Sequence, residues 1–127
     1  MSDLLEQIGE HLEKMGYVIE GRGEEIFEAV HESRWNFVFT ADVGGVLFRS
    51  SIEAKPNASD LELYDLINEI SAEAAVMRLY LDEDRDLALE AWWPPTFDPE
   101  AFELFIQGWN RDISVIAKHP DIDELLS

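Results

Sequence analysis

The sequence predicts a small acidic α+β domain in which one antiparallel sheet of about five strands is packed by three helices, in the order α-β-β-β-α-β-β-α. Three observations carry this. Apolar residues alternate with polar ones in several short segments, the period of a strand with one buried face. Elsewhere they recur at three and four residues behind capping signals, the period of amphipathic helices. Gly and Pro punctuate the junctions between the two patterns. At 127 residues the chain is one domain long, 1–127.

The first element is a helix with Ser2 or Asp3 as cap, Leu4, Leu5, Ile8, Leu12 and Met15 on one stripe, and Gly16 as its terminator. Tyr17 to Glu20 is short and β-leaning, Gly21-Arg22-Gly23 reads as a turn, and Glu25 to His31 as a second strand. From Trp35 the alternation is clear, with Trp35, Phe37, Phe39 and Ala41 on one face and Asn36, Val38, Thr40 and Asp42 on the other. Gly44-Gly45 supplies the positive φ angles of a tight hairpin, and Val46 to Glu53 returns antiparallel. Pro56 breaks the sheet, and Ser59 with Glu62 has capping-box spacing ahead of Leu63, Leu66, Ile67 and Ile70. Ala75 to Asp82 alternates again, and an acidic turn leads to Leu87, Leu89, Ala91 and Trp93 on one face, with Trp92 on the other. Pro94 and Pro95 lack amide donors and end that strand. Asp98 caps the long last helix, Pro99 suits its first position, and Phe102, Phe105, Ile106, Trp109, Ile113 and Ile116 form its stripe. Pro120 closes it, leaving an acidic tail, 121–127, expected to fray unless Leu125 and Leu126 dock.

Composition excludes several classes of function. Nine basic against twenty-eight acidic residues give a net charge of −19, which repels nucleic acid and anionic membrane and favours cationic partners. Without cysteine there are no disulfides, thiolate metal sites or cysteine nucleophiles, and with no membrane-spanning or leader pattern the expected location is cytoplasmic.

No catalytic signature is present. Asp82-Glu83-Asp84-Arg85-Asp86 begins like a calcium loop, but Leu87 stands where glycine is needed and Trp93 where glutamate is, so it reads as a solvated turn. His11, His31 and His119 lie on separate elements without ligand spacing. The serines at 50, 51 and 71 lack a nucleophile elbow, and the glycines form no phosphate loop. The sequence therefore predicts no enzyme, no cofactor and no metal. The aromatic set says more: Trp35, Trp93 and Trp109 are expected in the core, whereas Trp92 points away from it. Trp92, Tyr80, Val38 and Leu47 are the candidate partner-binding residues, on the second face of the sheet.

The order of elements, together with Trp35-Asn36-Phe37-Val38-Phe39, the Gly44-Gly45 turn, the helix from Asp60 to Ala72 and Ala91-Trp92-Trp93-Pro94-Pro95, resembles the YbjN-like family of candidate sensory-transduction regulators. More distantly it is similar to the small acidic type III secretion chaperones, whose fold that family shares. The resemblance implies a compact module that binds protein rather than performing chemistry, often as a homodimer. The function expected is thus a chaperone-like or regulatory binding module taking a partner segment in an apolar groove or on a sheet surface. The alternatives are a small-ligand binder or enzyme assembled in three dimensions, from His31, Arg34 or Arg49, and a structural subunit of a larger assembly.

Overall fold

Where the alternation is strongest the chain pairs as expected, and the computed structural model, which describes residues 2–127 with side chains from Asp3 onward, is α+β. Its elements are α1 (Ser2–Lys14), β1 (Val18–Gly23), β2 (Ile26–Val30), β3 (Phe37–Asp42), β4 (Gly45–Glu53), α2 (Asp60–Ser71), β5 (Arg78–Leu81), β6 (Asp86–Trp93), α3 (Pro99–Lys118) and α4 (Ile122–Leu125). The six strands form one antiparallel sheet ordered β1-β2-β3-β4-β6-β5. The class is as predicted, with six strands instead of about five and four helices instead of three among the described residues. Two compact units divide the chain: Met1–Ser50 with Ala91–Phe105, and Ser51–Glu90 with Ile106–Ser127.

The first unit is built on aromatic rings. The register pairs Phe27 with Phe39 and Phe39 with Phe48, so one sheet face carries a row of phenylalanines whose centroids lie 5.5 and 5.7 Å apart. Helix α1 buries Leu4, Leu5, Ile8 and Leu12 and ends at Gly16 with φ +97°. It begins at Ser2, which puts Asp3 inside its first turn; the Ser2 side chain lies outside the described residues. Trp93 contacts Phe102 and Phe105 at 5.2 and 5.3 Å, and its indole N–H donates to the Thr96 carbonyl at 2.8 Å. These bonds close the proline corner and fix the start of α3, where Asp98 Oδ1 accepts from the Glu100 and Ala101 amides at 3.0 and 3.3 Å.

Three expectations shift here. Gly21-Arg22-Gly23 is the end of β1, with an irregularity between Gly21 and Gly23, and the turn falls at Glu24-Glu25, where Glu25 has φ 57°. The β3–β4 turn is Val43-Gly44, both at positive φ (47° and 79°), while Gly45 already pairs with Asp42 in the ladder. Trp35 lies outside β3 and is 36% exposed, not core. The Asn36 side chain accepts from the His31 amide and its carbonyl from the Ser50 hydroxyl, both at 3.1 Å, so residues 31–36 are held as a loop.

In the second unit α2 opens with the expected capping box: Ser59 Oγ accepts from the Glu62 amide at 3.1 Å, and Glu62 accepts from the Ser59 amide at 3.0 Å. Accepting that backbone bond, and a second interaction with the Ser59 side chain, holds the Glu62 carboxyl below the ordinary carboxylate range. A depressed carboxyl stabilises the fold above its unfolded pKa, and the contribution is lost as pH falls through the folded pKa. Ser59→Ala is accordingly expected to cost about 1 kcal/mol at neutral pH in urea unfolding. The gap from the native protein should narrow once acid titrates Glu62; a constant gap down to acid pH would count against the reciprocal cap.

Strand β5 starts at Arg78 rather than Ala75, because the amides of Ala75, Val76 and Met77 donate to the carboxylate of Asp112 at 2.8, 2.8 and 3.0 Å instead of to a strand. Asp112 is wholly buried. The Asp82–Asp86 stretch is a turn, as expected, in which Asp82 Oδ1 accepts from the Asp84 and Asp86 amides, both at 2.9 Å. Burial raises the Asp86 carboxyl, with Asp82, Glu53 and Asp84 adding repulsion. The tail docks instead of fraying. Leu125 and Leu126 are buried, Leu126 bridges to Ala54, the Lys55 amide donates to Leu125 at 2.9 Å, and the Ser127 amide donates to Glu53 at 2.8 Å. Among the described residues no helix is long and apolar enough to cross a membrane.

Candidate functional site

In the first unit α1 shows two faces. Leu4, Leu5, Ile8 and Leu12 turn into the core, while Glu6, Gly9, Glu10 and Glu13, at i, i+3, i+4 and i+7, lie along an adjoining stripe. That stripe is one wall of a groove of about 520 Å³, lined by Leu5, Glu6, Gly9, Glu10 and Glu13 from α1 and by Ile19, Glu25 and Phe27 from the β1–β2 hairpin. Its floor is Leu5, Ile19 and Phe27. Ile19 and Phe27 are half-buried although they stand on the same sheet face as the buried Phe39, so this is where the core face remains uncovered.

Two glycines keep the groove open. The register places Gly21 opposite Phe27, and a Cβ built at Gly21 meets nothing within 4 Å. At Gly9 a Cβ would make ordinary contact with Ile19 at 3.9 Å, so packing within the chain does not require glycine there. Glycine inside a helix costs about 1 kcal/mol relative to alanine.

The rim is acidic and unneutralised. No ion pair engages Glu6, Glu10, Glu13 or Glu25 among the described residues. The nearby cation Arg22 is held elsewhere: its Nε donates to Glu28 at 2.9 Å and its Nη2 contacts Glu20 at 3.4 Å. Like charges three and four residues apart each cost a helix roughly 0.2–0.5 kcal/mol. Glycine and the paired glutamates thus both weaken α1 locally.

The residues singled out from the sequence fall as follows. Trp92 is 48% exposed and points away from Trp93; its indole N–H donates to the Asp42 carbonyl at 3.2 Å, and its ring lies over Gly45. Val38 and Leu47 are half-buried on the face opposite the phenylalanine row, Val38 between Glu28 and Arg49 and Leu47 beside Thr40, so apolar and polar residues alternate there. Tyr80 belongs to the second unit, where its hydroxyl donates to the buried Glu90 at 2.8 Å and Arg78 sits 5.9 Å from its ring centre; Arg78 also pairs with Glu90. His31 is fixed by the Ser33 amide on Nδ1 at 3.1 Å and by Tyr17 edge-on at 4.9 Å. Neither the α1 groove nor a polar recess of about 350 Å³ at Lys55, Asn57, Glu62 and Asp123 is lined by His31, Arg34 or Arg49.

The sequence reading missed the groove. Its available signals were Gly9 inside an otherwise sound helix and three glutamates sharing one stripe.

One cluster resembles a metal site: Glu69, His119 and Asp121 offer ligand atoms within 4.8 Å of one another. However, His119 Nδ1 accepts from the Asp121 amide at 3.1 Å, which leaves the proton of a neutral ring on Nε2, 2.6 Å from Glu69. The nitrogen facing Glu69 is therefore a donor to it, and the set works as a helix-end clasp.

The solved structure of YbjN, a candidate transcription regulator from E. coli, superposes with a TM-score of 0.75 over 97% of this chain and 95% of that one, at 18% identity. The fold is YbjN-like. No family model matches the sequence, and neither does any curated protein. At 18% identity the likeness to YbjN concerns the fold. The YbjN-like arrangement of helices and sheet is the frame on which this chain carries its glutamate-rimmed groove.

Proposed function

We propose that this protein is a non-enzymatic binding module, chaperone-like or regulatory, that holds a segment of a partner protein in the groove between α1 and the β1–β2 hairpin. The observation that carries this is an apolar floor of half-buried Ile19 and Phe27, continuous with the buried Leu5, beneath four glutamates that form no ion pair among the described residues. A fold shared with a candidate transcription regulator supports a regulatory setting for the binding. Self-association through the sheet face bearing Trp92 is a separate element of the reading.

The test is recovery of the full chain with its native partners, compared across two substitutions. Gly9→Leu fills the groove and is expected to lose the partner; Trp92→Ala is expected to retain it and to alter only self-association, read by light scattering. A partner lost with Trp92→Ala and kept with Gly9→Leu moves the site to the sheet face and ends the groove assignment.

A further inference from the structure

Three properties of the groove specify its occupant. The floor is apolar, the rim is four carboxylates that form no ion pair among the described residues, and Gly9, buried on the α1 wall, leaves room there for a Cβ at ordinary contact with Ile19. The acidic rim disfavours a second copy of a chain with net charge −19, along with nucleic acid and anionic lipid, and favours a cationic partner. The apolar floor excludes a purely polar cation, for which it provides no contacts.

The rim also sets the occupant's period. Glu6, Glu10 and Glu13 rise along α1 at about 1.5 Å per residue, so their positions fall at roughly 0, 6 and 10.5 Å. Residues i, i+4 and i+7 of a helix lying alongside reproduce those steps. An extended segment, with same-side residues about 6.8 Å apart, is out of step by about 3 Å at the third charge.

We propose, resting on the binding-module reading above, that the groove takes a basic amphipathic helix of a partner protein. Its apolar stripe lies on Leu5, Ile19 and Phe27, its Lys or Arg side chains face Glu6, Glu10, Glu13 and Glu25, and its closest approach is at Gly9. Helix-in-groove recognition of this kind reads anchors at i, i+3, i+4 and i+7. Charge steers the encounter, and the apolar stripe supplies residence.

The experiment uses the full-length protein and labelled amphipathic peptides of about 12 residues, a length of roughly 18 Å as a helix. One alternates Leu and Lys at helical spacing, one replaces Lys by Glu, and one keeps Lys but replaces Leu by Ser; fluorescence anisotropy reads binding. The Leu–Lys peptide alone is expected to bind at moderate salt. Combined Glu6→Gln, Glu10→Gln and Glu13→Gln should weaken it roughly tenfold and flatten its salt dependence. Gly9→Leu should weaken it by about tenfold or more, whereas the smaller Gly9→Ala, with circular dichroism on both, shows that the helix itself is intact. Leu–Lys binding indifferent to the glutamate changes overturns the inference. If the Leu–Glu peptide binds in a manner that Gly9→Leu abolishes, the groove reading survives and the cationic helix does not. If no probe responds to Gly9→Leu, both fall.

Discussion

Asp112→Ala is expected to lower the unfolding free energy by about 4 kcal/mol, the largest effect of any single truncation discussed for this chain. Asp112 is fully buried and accepts from the amides of Ala75, Val76 and Met77 at 2.8–3.0 Å, with Arg111 at 3.5 Å from one oxygen. Alanine leaves three partly or wholly buried N–H groups without their acceptor, and each orphaned group costs about 1–3 kcal/mol. Because a domain of this size holds only about 5–15 kcal/mol in total, the variant should unfold at a markedly lower urea midpoint. Asp112→Asn should recover only part of the loss, since its NH₂ turns a donor toward donors. A midpoint for Asp112→Ala within about 1 kcal/mol of the native protein would falsify the three-amide clamp.

Gly45→Ala should be the other severe substitution, at roughly 3 kcal/mol, although Gly45 lies within a strand. A Cβ at that position would stand 2.3 Å from the Trp93 carbonyl oxygen and 2.5 Å from the Trp92 ring. The backbone oxygen cannot swing aside as a flexible side chain does, so the strand itself must shift. The Trp92 indole bond to Asp42 should be disturbed with it, visible as a change in tryptophan fluorescence. Gly44→Ala provides the contrast. Gly44 has φ +79° but open space around it, so its cost is the left-handed strain alone, about 1–2 kcal/mol. Equal thermal stability of the two variants would remove the steric role given to Gly45.

These residues also show how far the sequence could be read. The Ser59–Glu62 box, the Asp98-Pro99 start of α3 and the opposite orientations of Trp92 and Trp93 were legible because caps and strand periods depend on residues a few positions apart. The hairpin turn was misplaced by one residue. Of the adjacent glycines, one serves the positive φ and the other serves contact with Trp92 and Trp93, and Val43 takes the remaining left-handed position. Trp35 continued the alternation of β3 on paper, but hydrogen bonds of Asn36 with His31 and Ser50 draw that stretch into a loop. Burial of Asp112 had no local signal at all, since its three amide partners lie 35–37 residues away.

The candidate site divides the same way. Leu5, Gly9 and the glutamates of α1 are readable as a helix with one mixed stripe, and the acidic composition alone sets a negative field around it. That this stripe borders an uncovered part of the core face follows only from where α1 lies on the β1–β2 hairpin and from the empty space at Gly21. By itself the sequence determined the fold class, the caps of α2 and α3, the division between Trp92 and Trp93 and the strongly negative net charge. Tertiary structure decided the groove, the Asp112 clamp and the docking of the tail. Periodicity and caps are short-range consequences of backbone geometry, whereas a cavity or a buried acceptor exists only where distant segments meet, and the chain's linear order does not encode that meeting locally.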